Sequence, residues 1–280
     1  MQLIKSTREL TGRLRSLRQS GKRIGFVPTM GCLHEGHLSL VSRARRENDI
    51  VVVSIFVNPT QFGPQEDFKR YPRNLKRDKQ LLKAEGADYL FVPSCSSIYP
   101  KGFRNFINPG PLARYLCGPK RPGHFRGVAT VVNRLFEIVK PHAAYFGEKD
   151  YQQVRIVEEM VRKLRLRVKI KTCPIIREAD GLAMSSRNRY LSKRERISAC
   201  AIYRSLLEVK HLIHAGERDA GKIKRAVRDV LASHVSKIDY VEVVDPVRLV
   251  PFKRVQTQTL VAIACYGGTT RLIDNLLIKI

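Results

Sequence analysis

Short apolar runs at Ile24–Val27, Ile50–Val57, Tyr89–Val92 and Ala143–Phe146 alternate with segments of helical period near Leu38–Asn48, Leu75–Ala84, Val128–Lys140 and Tyr151–Leu164. Continuous apolar runs suit strands buried on both faces. Their alternation with helices predicts an α/β fold, a Rossmann-like parallel sheet with crossover helices. The run Leu164–Lys171 alternates apolar with basic residues, so one face meets water and the strand belongs at a sheet edge. Leu10, Leu14 and Leu17 share one helical face, which predicts an integral first helix and not a transit peptide, despite the basic residues around them.

Beyond Pro174 the pattern changes. Ser192-Lys193-Arg194-Glu195 reads as a capping box that opens one long helix through about His214, and a second helix covers Ala220–His234. The segments Tyr240–Val244, Thr259–Tyr266 and Arg271–Ile273, punctuated by Pro246, Pro251 and Gly267-Gly268, read as a small sheet. The expected organisation is therefore a Rossmann-like domain over 1–173 and a smaller α+β domain over 174–280.

Composition narrows the class. In 280 residues, 43% hydrophobic content supports real cores, and no apolar run approaches the ~20 residues that span a bilayer. The six cysteines form no C-x-x-C pair, and we read them as reduced, mostly buried thiols of a cytoplasmic protein. The formal charge of +27, from 52 Lys and Arg against 25 Asp and Glu, raises the question of a nucleic-acid partner. The basic residues decorate most elements instead of one stripe, and no RNA-binding motif accompanies them, so a solvated basic surface is the favoured reading.

Candidate chemistry concentrates where the first long strand ends, at Pro28-Thr29-Met30-Gly31-Cys32-Leu33-His34-Glu35-Gly36-His37. A strand, a tight loop and a helix start present unpaired backbone N–H groups and the positive end of a helix dipole, which suit phosphate. Two imidazoles three residues apart add donors. Taken alone, they also suit helix capping or a metal. The protease zinc helix, however, spaces its histidines i, i+4, which argues against a metal. The strand ends at Ile50–Val57 and Ala143–Phe146 likewise run into polar segments, Asn58–Gly63 and Gly147–Gln153, and in an open parallel sheet ligands bind beyond such ends.

With Pro28–His37, Phe56–Gly63, Tyr71-Pro72-Arg73, Arg121–Val128, Phe146–Gln153 and Asp180–Asn188 all present in order, the chain resembles the pantothenate synthetase family over nearly its whole length. The resemblance implies an ATP-dependent ligase that adenylates pantoate and then transfers the pantoyl group to β-alanine, releasing AMP and pyrophosphate. It also implies a homodimer, a C-terminal domain that acts as a lid, and a kinship with class I aminoacyl-tRNA synthetases. Other nucleotidyltransferases of the same superfamily are the alternative enzymes.

By the same resemblance, His37, His34 and Lys149 carry the catalysis, with His37 as proton donor. ATP is implied to contact Met30, Gly31, Cys32, Leu33, His34, Glu35, Gly36 and His37, then Gly147, Glu148, Lys149 and Asp150, and finally Ile176, Met184, Ser185, Ser186 and Arg187. Gln61 and Gln153 are implied to bind pantoate, and Gln61 also β-alanine; neutral amides hold a carboxylate without quenching its charge. Arg121 and His124 are placed near the same pocket. Mg2+ is implied by ATP. Where relatives carry paired acidic residues this chain has Arg77-Asp78, leaving Asp78 as the one candidate metal ligand.

Overall fold

A computed structural model describes Met1–Ile280 as two compact units. The first comprises Met1–Gly110, Arg121–Glu148 and Gln153–Pro174; the second comprises Pro111–Lys120, Lys149–Gln152 and Ile175–Ile280. The chain thus crosses between units at short inserts as well as near Pro174. No helix is long and apolar enough to cross a membrane.

The first unit contains β1 (Gln2–Ile4), α1 (Thr7–Gln19), β2 (Ile24–Thr29), α2 (Glu35–Glu47), β3 (Ile50–Ile55), α3 (Leu75–Ala84), β4 (Tyr89–Phe91), α4 (Cys95–Ile98), α5 (His124–Val139) and β5 (Ala143–Gly147). Most of α6 (Tyr151–Lys163) and all of β6 (Lys169–Cys173) complete it. Its six strands lie in the order β1-β4-β3-β2-β5-β6, all parallel. The order reverses between β2 and β5, so the topological switch point, where such sheets bind ligands, lies at the carboxyl end of β2. The histidine loop starts there.

Strands β2, β3 and β5 are apolar because helices cover both faces of the sheet: Phe26, Val27, Val51, Val52, Val53 and Ala144 have no exposed surface. Tyr145, equally buried, donates its hydroxyl proton to Glu47 Oε2 at 3.1 Å and accepts from Asn48 Nδ2 at 2.7 Å, tying the end of α2 to β5. β6 is the sheet edge, as its alternation required, but it begins only at Lys169. The preceding residues turn, with Arg165 in the left-handed region at φ 51°.

The second unit holds α7 (Lys193–Ala199), α8 (Ala201–His214) and α9 (Ala220–Ala232) with an antiparallel sheet of β7 (Lys237–Val244), β8 (Gln258–Gly267) and β9 (Thr270–Lys279). Its core joins Ile202, Leu206, Val209, Ile223 and Val227 to Val241, Val261 and Ile263. The capping box at Ser192 and Glu195 forms, but the single long helix expected from it is two helices. At Cys200 the ladder tightens to an i−3 bond onto the Ile197 carbonyl, at 3.3 Å, and the axis breaks there. The closing strand also exceeds its expected Arg271–Ile273 span, because Asp274 and Asn275 interrupt the apolar pattern without ending the strand. Strand β1 was not foreseen, being only three residues long. Of the cysteines, Cys95 is exposed, Cys200 half-buried and the other four buried.

One contact in the first unit fixes the site directly. Gly127, inside α5, packs against the short 3-10 turn Pro59–Gln61; a Cβ there would stand 2.3 Å from Thr60 O and 2.7 Å from Gln61 N. Glycine to alanine inside a helix normally stabilises by about 1 kcal/mol. Here the backbone overlap outweighs that gain. Gly127→Ala is expected to destabilise the protein by about 1–3 kcal/mol in urea unfolding, and a variant more stable than wild type would contradict the packing.

Candidate active site

The histidine loop is built from fixed points. Thr29 donates its hydroxyl to Ser54 O at 2.8 Å and accepts from Gly31 N at 3.1 Å. Gly31 then turns with φ +80°, a conformation open to glycine; a Cβ would also press on Ile55 at 2.9 Å and on Asp78 Oδ2 at 3.1 Å. Cys32 follows in the left-handed region at φ 52°. Asp78, in the first turn of α3 and 1% exposed, accepts from Cys32 N at 2.9 Å through Oδ2 and from Leu33 N at 2.8 Å through Oδ1. Arg77 donates to Leu33 O at 3.0 Å, so both polar groups of Leu33 are gripped from α3.

This geometry changes the role of Arg77-Asp78. Both carboxylate oxygens of Asp78 are engaged by backbone N–H groups, and no group of three His, Cys, Asp or Glu side chains is arranged to hold a metal. The Asp78 carboxylate is thus committed to the loop backbone, and the structure does not bring further carboxylates to it. Sequence reasoning missed the clamp because nothing in the pattern says which way the first turn of α3 faces.

Beyond the clamp, His34 caps α2: its Nδ1 accepts from Gly36 N at 3.2 Å, and its carbonyl accepts from His37 N at 2.8 Å. With Nδ1 used as an acceptor, a neutral His34 carries its proton on Nε2, which becomes its donor side. The two imidazole centroids lie 4.1 Å apart at the start of a 13-residue helix. Glu35 is exposed and Gly36 half-buried in the same turn.

At the end of β3, Asn58 organises the neighbouring segment. It is 1% exposed, donates from Nδ2 to Gln61 Oε1 at 3.0 Å and to Gly127 O at 3.2 Å, and accepts the Tyr99 hydroxyl at 2.8 Å through Oδ1. Gln61 in turn directs Nε2 to Met30 Sδ at 3.2 Å, joining the candidate pantoate residue to the histidine loop. Asn58 was legible only as part of a polar strand end. Arg121 and His124 meet the same segment: His124 Nδ1 lies 2.8 Å from Gln61 O, and Arg121 lies 2.9 Å from His124 Nε2. Arg121 is paired with Glu66 at 2.6 Å. Gln153 stands half-buried in the first turn of α6, Gly147 ends β5 and Glu148 opens the 3-10 turn that follows.

The remaining candidates lie in the second unit. Lys149 and Asp150 occupy a 3-10 turn, Lys149 half-buried and Asp150 exposed, and the Lys149 carbonyl accepts from Asn275 Nδ2 of β9 at 3.1 Å. Gln152, next to the Gln153 singled out in the sequence, is an anchor: it donates to Leu112 O at 2.9 Å and Tyr115 O at 2.7 Å, and accepts from Cys117 N at 2.9 Å. Ile176 and Met184 are joined across a hairpin, Met184 N donating to Ile176 O at 3.0 Å. Ser185 then caps the turn Ser186–Tyr190 by accepting from Arg187 N at 3.3 Å.

Two expectations follow. Asp78→Asn removes one acceptor from the clamp and sets an amide against a backbone N–H, which should destabilise by about 1–3 kcal/mol and speed hydrogen exchange at Cys32 and Leu33; unchanged exchange would show that the carboxylate does not hold the loop. At Glu66, burial pushes the carboxyl up, but the Arg121 hydrogen bond and charge override it and leave the group below its usual range. A carboxyl depressed in the folded state contributes stability that is complete above the unfolded value, about 4.3, and is lost as pH falls through the lower folded value. The stability gap between wild type and Glu66→Gln should therefore close with acidification in urea titrations; a gap independent of pH would contradict the pairing.

A sequence model described as pantoate-β-alanine ligase matches residues 2–277. The chain is 54% identical over 279 residues to the pantothenate synthetase of Fervidobacterium nodosum, covering 100% of each sequence. Among solved structures it is similar to the pantothenate synthetase of Thermus thermophilus, at TM-score 0.93 and 46% identity with 99% of both chains covered. It is also similar to the pantoate-β-alanine ligase of Francisella tularensis complexed with β-γ ATP and β-alanine, at TM-score 0.83 and 37% identity, covering 99% of this chain and 97% of that one. With a clamped histidine turn at the switch point of its sheet and these likenesses along its full length, the chain belongs to the pantoate-β-alanine ligase family.

Proposed function

We propose that this protein condenses pantoate with β-alanine to pantothenate, driven by ATP, through a pantoyl-adenylate intermediate. The observation that carries the reading is the His34–His37 pair at the start of α2, held at the switch point of the sheet beside a Gln61 amide bonded to Met30. On this reading the histidine pair serves the nucleotide and the neighbouring Gln61 amide serves the carboxylate.

The chemistry asks little of a general base. Pantoate's carboxylate is already ionised near neutral pH, so its oxygen attacks the α-phosphorus directly and the bond to pyrophosphate breaks. The difficulty is bringing two anions together and stabilising charge on the phosphates, which is positioning and electrostatics. His34 Nε2–H and His37 donate to phosphate oxygens; Met30, Gly31, Cys32 and Leu33 lie along the adenosine; Gln61 and Gln153 orient pantoate. Lys149 and Arg187 offset the charge of the triphosphate and Ser185 and Ser186 offer it hydroxyl donors, with Gly147, Glu148, Asp150, Ile176 and Met184 shaping that side. In the second step the amine of β-alanine, seated by Gln61 and having given its ammonium proton to solvent, attacks the acyl carbon; the acyl–oxygen bond to AMP breaks, AMP departs with the oxygen, and the new amide nitrogen releases its extra proton. Magnesium enters as part of the substrate, on the phosphates of ATP.

On this reading residues 1–173 carry the histidine loop and the glutamines. Residues 174–280 carry Ser185–Arg187, and the enzyme is a cytoplasmic homodimer, a state that light scattering reads directly. The test of function is product stoichiometry: AMP, pyrophosphate and pantothenate in equal amounts. Formation of ADP and phosphate would overturn the adenylate route. His37→Ala and Lys149→Ala should each lower kcat/KM for ATP by about 10²–10³-fold with an unchanged melting temperature, and unchanged turnover in either variant would remove that residue from the reaction.

A further inference from the structure

β9 carries two buried polar residues side by side, Asp274 at 3% exposure and Asn275 at 6%, in a strand that otherwise places Leu272 and Ile278 in the core. Burying such groups is unfavourable unless they are fully hydrogen-bonded, so their partners show what they are for. Both partners lead to segments that the ligase reading assigns to ATP.

Asn275 donates from Nδ2 to the carbonyl of Lys149 at 3.1 Å. Asp274 accepts both arms of Arg177, at 2.6 Å and 3.0 Å, and its Oδ1 also accepts from Asn275 N at 2.8 Å. Arg177 is itself the root of a hairpin. Its Nη1 donates to Gly181 O at 3.0 Å, and its guanidinium lies 3.7 Å above the Tyr203 ring. That ring leaves no room at Gly181 for a side chain, since a Cβ would stand 2.6 Å from Tyr203 Cδ1, and Gly181 has φ +89°. The hairpin pairs Arg177 with Ala183 and Glu178 N with Leu182 O, and it leads directly into Met184–Arg187. Asn188 closes the exit by donating to Ala183 O at 3.1 Å.

We infer that Asp274 and Asn275 are positioning residues for the adenylation step, Asn275 fixing the backbone that presents Lys149 and Asp274 fixing, through Arg177, the hairpin that presents Met184–Arg187. Adjacent residues on one strand are held at a constant rise of about 3.3 Å. β9 therefore acts as a ruler between two groups of phosphate ligands. The inference rests on the ligase reading above, and it predicts an effect confined to the nucleotide. Displacing either segment by about 1 Å alters the electrostatics around the triphosphate while leaving the Gln61 segment of the first unit untouched.

The test uses the full-length enzyme with three variants. Asn275→Ala removes the donor, and Asn275→Asp keeps the shape but cannot donate to the Lys149 carbonyl. Arg177→Met combined with Asp274→Leu removes the ion pair without leaving a lone buried charge. Each should lower kcat/KM for ATP by about 10- to 100-fold, through kcat and KM together. The KM values for pantoate and β-alanine should stay within about twofold, with melting temperatures close to wild type. A wild-type enzyme that makes no pantothenate would overturn the ligase reading itself. An active wild type whose Asn275→Asp variant keeps full kcat/KM for ATP would overturn the inference alone. So would variants in which all three KM values rise together as the fold loosens.

Discussion

Two short hydrogen bonds to the Asp78 carboxylate fix the loop on which the first unit's chemistry depends. The N–H groups of Cys32 and Leu33 turn inward to reach it, which is possible because Gly31 and Cys32 both adopt left-handed backbone angles. Without an acceptor at that point, two buried N–H groups would lack partners and the turn would open. With it, α2 starts at Glu35, the His34 side chain is committed to capping, and both imidazoles are held at the helix start. A carboxylate beside a loop that the ligase reading assigns to phosphate looks counterproductive. Asp78 avoids the conflict by turning its oxygens to backbone donors and lying fully buried.

The second unit solves its own problem by a different device. The segments of this unit that the ligase reading assigns to ATP are a short 3-10 turn and a hairpin. Both are tied to β9, and the Lys149–Gln152 segment is further anchored by Gln152 and by Tyr151, whose hydroxyl donates to Pro246 O at 3.1 Å. The turn is thus held through the Lys149 carbonyl and the Tyr151 and Gln152 side chains, and the hairpin through the Arg177 side chain.

Much of this was legible in the sequence because the signals were local. Apolar runs at Ile24–Val27 and Ile50–Val57 marked buried parallel strands, and the switch-point rule then placed the histidine loop at the right end of the sheet. What stayed hidden was long-range. That Asp78 faces the loop 45 residues away, or that Asn275 reaches Lys149 across 126 residues, depends on packing that no periodicity encodes. The misread elements have the same origin. Cys200 breaks a helix that its capping box had begun well, and Asp274-Asn275 looked like the end of a strand because their partners lie elsewhere in the chain.

The central claim is that these groups serve one step, attack of an acid on the α-phosphate of ATP. It is tested most directly by exchange of labelled pyrophosphate into ATP by the purified protein with magnesium. The account predicts exchange that requires pantoate and proceeds without β-alanine, because the amine enters only after the adenylate has formed. Exchange that required β-alanine, or folded protein that gave none with pantoate present, would contradict it.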